Sequence, residues 1–89
     1  MSMINTLEDL LIARGESGNP AFVLHGDDWM TLRKEMQTRG FDPKLGVAAN
    51  RRVYYMFNGV PVFEGRSVLQ GSYGLVEQHE LIGNNSNEG

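Results

Sequence analysis

Only two histidines, His25 and His79, and no cysteine occur in this 89-residue chain, and that scarcity narrows the chemistry it could support. Nucleophilic catalysis needs a serine or threonine beside a base that an acid orients, and no Gly-x-Ser-x-Gly elbow is present to hold such a serine. Without cysteine there is neither a disulfide nor a thiolate zinc site. His25, Asp27 and Asp28 could supply part of a metal site. Three or four ligands are required, however, and aspartates at the start of a helix are more simply caps. The glycine-bearing stretches 15–19 and 65–71 lack both the Gly-Lys-Ser/Thr ending and the strand-to-helix setting of a phosphate cradle. They read as turns. No catalytic, cofactor-binding or metal-binding residue is therefore assigned. One local argument favours nucleic acid: Arg51 and Arg52 lie just before Tyr54 and Tyr55, and arginines beside strand aromatics can hold a backbone while bases stack. The net charge of −3 opposes it, because phosphate binding draws on a basic stripe. The ribonucleoprotein-type aromatic motif is also missing, and a pair of arginines at a strand entrance is more simply solvated or paired with an acid such as Glu64.

Short elements must position these residues. Thr6 can cap a first turn, with Asp9 three residues on. Leu7, Leu10, Leu11 and Arg14 follow helical spacing up to the natural stop at Gly15, so the chain predicts a helix of about ten residues. Such a helix is marginal alone and must dock. Residues 1–3 are set aside as a start or a cloning remnant. Residues 21–25, a continuous apolar run between breakers, suit a strand buried on both faces. A second helix follows, capped by Asp27 or Asp28. It buries Trp29, Leu32 and Met36 and ends at Gly40, and the Trp29 N–H is expected to find a carbonyl in the core. Residues 41–50 read as a loop, long enough to be functional or mobile.

The centre of the chain is Asn58-Gly59. This dipeptide readily takes positive φ at both turn positions, and it separates Val53 to Phe57 from Val60 to Phe63, the strongest short-range hairpin signal. A two-residue turn places Phe57 opposite Val60, Tyr55 opposite Val62 and Val53 opposite Glu64 on one face. Met56 with Pro61, and Tyr54 with Phe63, share the other. Both faces are apolar, so two short helices should conceal the ribbon only in part. Pro61 should sit at an edge, at a bulge or with its missing donor turned away from a partner. Residues 72–77 read as a last strand that 79–82 could extend, and 83–89 as a disordered polar tail. The whole is one α+β domain over residues 1–82: a small mixed or antiparallel sheet of about four strands with two helices and the central hairpin. No apolar run nears the roughly 18 residues of a membrane span, nor does an export signal open the chain, which points to a soluble protein without membrane contact.

Asn19 to Arg33, with its buried strand running into Asp27-Asp28-Trp29, together with Asn58-Gly59-Val60-Pro61-Val62 and Gly71 to Val76, resembles a segment of tailed-bacteriophage major capsid proteins over residues 20–76. The chain departs from that pattern in lacking the long spine helix, the extended arm and the loop needed to build a shell. His25-Gly26 also stands where a proline-bearing link is usual. The resemblance implies a stand-alone relative of one capsid subdomain, encoded by a phage or prophage and located in a virion or the host cytoplasm. It would be a non-enzymatic structural or assembly protein working by contact with a protein partner or by self-association. The alternative is a small phage- or mobile-element-encoded regulator that binds and inhibits a host protein. For either role the interface candidates are Tyr54, Phe63 and Tyr73, with Arg51 and Arg52 beside them.

Overall fold

A computed structural model describes residues 3–15, 18–48, 51–65 and 67–78. The elements run α1 (Met3–Arg14), β1 (Pro20–Leu24), α2 (Gly26–Thr38), β2 (Gly46–Val47), β3 (Val53–Phe57), β4 (Val60–Glu64) and β5 (Gly74–Glu77). The strands form one open mixed sheet in the order β2-β3-β4-β1-β5. The α+β class stands as expected, with β2 as a short fifth strand inside the expected loop. Residues 79–82 and the expected polar tail lie outside the described residues.

The hairpin has the register that alternation required: Phe57 faces Val60, Tyr55 faces Val62, Met56 faces Pro61 and Tyr54 faces Phe63. Asn58 at φ 51° and Gly59 at φ 77° supply the two left-handed positions of the turn. Pro61 sits in an interior strand rather than at an edge. In a two-residue hairpin Phe57 and Val60 exchange hydrogen bonds, so Pro61 turns its missing donor away from β3 and towards β1. The parallel ladder between β1 and β4 begins one residue later, at Phe22 opposite Val62, and the Pro20 carbonyl that such a donor would have met accepts from Gln78 Nε2 at 3.2 Å instead.

β1 is buried on both faces, as its unbroken apolar run demands. Phe22 and Leu24 join Tyr55, Phe57, Val60 and Val62 beneath Ile4 and Leu7 of α1 and Trp29, Leu32 and Met36 of α2. Both helices therefore cover the same face. The Trp29 indole N–H donates to the buried carbonyl of Val62 at 3.0 Å, the partner that a buried indole needs.

α1 starts at Met3 rather than near Thr6, because its cap comes from elsewhere. The Glu35 carboxylate of α2 accepts from the backbone N–H groups of Met3 at 3.2 Å and Ile4 at 2.8 Å, satisfying free donors at the positive end of the helix dipole. The start of α2 is likewise different. Its cap is His25, whose Nδ1 accepts from the Asp27 N–H at 3.0 Å. Asp28 is buried instead and accepts from the Gly71 N–H at 2.7 Å, tying the β4–β5 connection to the helix.

Tyr55 is wholly buried. Its ring lies 4.9 Å from that of Trp29, and its hydroxyl donates to the Trp29 carbonyl. Burial pushes its pKa well above the ordinary 10.0, with Arg33 opposing. The folded chain thus disfavours tyrosinate, while an unfolded tyrosine ionises near pH 10. This stabilisation is fully present below that pH and declines above it by about 1.4 kcal/mol per pH unit. Urea unfolding across alkaline pH should show the decline, and Tyr55→Phe should flatten it; the same slope in both proteins would assign it to other groups.

Candidate protein-contact surface

The second face of the sheet shows where the chain is open. Ala21, Val23, Pro61 and Phe63 lie on it and are buried, so β4 is concealed on both sides. Phe63 is roofed by its neighbours. The Tyr54 ring packs 5.4 Å from it, and the Arg52 guanidinium stands 5.6 Å above it, a cation–π arrangement. Tyr54 also lies over Gly46 of β2, where an added Cβ would come within 3.0 Å of the ring. One half-buried side chain thus links β2, β3 and β4.

The residues expected at an interface divide accordingly. Phe63, at 0 % exposure, is a core residue and is removed from the candidate surface; alternation placed it outside the helix-covered face, but Tyr54 and Arg52 close over it. Tyr73 is half-buried against the helical core. Tyr54 is half-buried. Arg51 is exposed, with φ 69°, and its N–H donates to the Ala48 carbonyl at 2.8 Å. Arg52 is half-buried, and its Nη2 donates to the Glu64 carbonyl at 2.5 Å.

Arg51 and Arg52 do meet at one place, a groove of about 780 Å³ at the sheet end, which they share with Val53, Glu64, Gly65 and Ser67. The Glu64 carboxylate lies against Gly26 in the first turn of α2, where the helix dipole favours it. The groove therefore carries both signs of charge. Among the described residues, no three His, Cys, Asp or Glu side chains are grouped to hold a metal ion.

A second surface escaped the sequence reading. Phe41, Leu45 and Val47 lie on the segment leading into β2 and along it, and with Val53 and Met56 of β3 they are large exposed apolar residues at one sheet edge; Phe41 is 63 % and Val47 68 % exposed. Beside them is a hollow of about 350 Å³, floored by Ile4, Met36 and Phe57 and rimmed by Phe41, Pro43 and Met56. The signal was present as apolar residues at 41, 45 and 47, an alternation that fits an edge strand. The Asp-Pro turn cue at 42–43 outweighed it.

These features define an α+β domain with one sheet edge left apolar and open. Compared with known protein families, curated proteins and solved structures, the chain matches none. Among the described residues no helix is long and apolar enough to cross a membrane.

Proposed function

We propose that this chain is a small non-enzymatic phage-type structural or assembly protein that acts by protein contact, in the virion or in the host cytoplasm. The observation that carries the reading is the exposed apolar edge formed by Phe41, Leu45, Val47, Val53 and Met56. Val47 and Val53 face the helix side of the sheet and Met56 the other, so the edge is apolar on both faces, the kind of exposed surface that a contact covers. A second observation supports the absence of catalysis. Among the described residues, His25, Asp28 and Glu35 accept from backbone N–H groups, of Asp27, of Gly71, and of Met3 and Ile4, which gives each a structural role. Its partner is then protein, and neither nucleic acid nor membrane is required.

Expression of a tagged copy during phage growth, followed by purification of particles and assembly intermediates, tests the proposal. Co-purification in fixed stoichiometry is the expected result. Absence from every such fraction would overturn the structural role, and recovery of one host factor in its place would establish the inhibitor alternative.

A further inference from the structure

The exposed segment that leads into β2 reads Phe41-Asp42-Pro43-Lys44-Leu45, and its chemistry is symmetric about Pro43 with the charges inverted. Apolar residues stand two positions either side of the proline, and an acid and a base stand one position either side. Two copies of such a segment laid antiparallel about a twofold axis at Pro43 bring each Phe41 to the Leu45 of the other copy and each Asp42 to the other copy's Lys44. An isologous contact requires this self-complementarity. We propose that the open edge is a homodimer interface and that its occupant is a second copy of this chain, centred on Pro43. The inference rests on the reading of the chain as a contact-making protein and names the partner.

The surroundings favour that occupant. Asp42 and Lys44 are both exposed, and Phe41 and Leu45 are among the most exposed large apolar residues described. Asp42 makes one side-chain contact, accepting from Gln37 Nε2 at 3.1 Å, which leaves its second oxygen for a lysine. Laid against each other in this way, the two segments give each Phe41 an apolar partner and each Asp42 a lysine. Met56 lines the same hollow as Phe41 and Pro43 and extends the apolar area. Pro43 has no N–H and so cannot take part in open-ended strand addition. The contact closes as a pair held by side chains.

Charge exchange between positions 42 and 44 tests the pairing. The native chain should sediment as a concentration-dependent dimer. Asp42→Lys places a new lysine against Lys44 of the second copy, and Lys44→Asp places a new aspartate against Asp42. Each variant alone should dimerise about tenfold more weakly or worse, because two attractive pairs become repulsive. An equimolar mixture should recover native affinity, since both pairs are then attractive again, and that recovery also shows that both variants fold. Phe41→Ala should weaken the dimer without this rescue. A native chain that is monomeric at its highest soluble concentration, variants that dimerise as tightly as the native chain, or a mixture that does not recover would each overturn the pairing. Co-purification with particles can still succeed in those cases, so the two proposals fail separately.

Discussion

Trp29→Ala is expected to cost about 3–5 kcal/mol of unfolding free energy, the range for emptying a buried aromatic site. A chain of this length has roughly 5–13 kcal/mol in total, so the variant should be partly unfolded in mild urea. Trp29 is tied in from three directions. Its indole donates to the Val62 carbonyl, its own carbonyl accepts from Tyr55, and its ring packs on the Tyr55 ring. Removing it both opens a cavity and takes from the Val62 oxygen its second donor, leaving it only the Tyr55 N–H of the ladder. Trp29→Phe keeps most of the packing and loses only the indole hydrogen bond, which should cost about 0.5–1.5 kcal/mol. Urea unfolding followed by far-ultraviolet circular dichroism measures both. A loss below about 1 kcal/mol for Trp29→Ala would mean that the indole does not anchor α2 to the sheet.

Phe63→Ala is the second large effect, and it separates a core residue from a contact residue. Phe63 is fully buried between Val23 and Tyr54 on the face the helices leave uncovered, so its loss should also cost about 3–5 kcal/mol. Tyr54→Ala removes a half-exposed roof and should cost less, about 1–2 kcal/mol, scaled from the cost of exposing a fully buried side chain. If Phe63→Ala unfolds at the native urea midpoint while losing a partner, the residue belongs at an interface and Tyr54 and Arg52 do not roof it.

The contrast between these two residues shows what was legible in the sequence. Local rules carried the hairpin: Asn58-Gly59 selects the turn, the turn selects the register, and the register puts Tyr54 beside Phe63. The same rules placed β1 in the interior and gave the Trp29 N–H a carbonyl. They failed wherever the deciding partner was remote. Glu35 caps a helix more than thirty residues earlier in the chain, so α1 begins before any local signal. His25 caps α2 through a ring nitrogen, which the preference for aspartate hid. Phe63 disappears because Arg52 and Tyr54 fold over it, a three-body arrangement that alternation cannot express. The contact edge was missed for the opposite reason. Phe41, Leu45 and Val47 were visible, but a proline at position 43 and a strand of only two residues made the segment read as loop.

The place of β1 has a consequence for how the chain comes into being. This strand, complete at Leu24, lies between β4 and β5, whose residues are added only from position 60 onward. Until then its backbone donors and acceptors have no neighbour in the sheet, and α1 must wait for Glu35 to emerge. A nascent chain stalled before Glu64 therefore exposes an unpaired apolar strand, the kind of species that aggregates. Assembly is in effect a single late event rather than a progression from one terminus to the other.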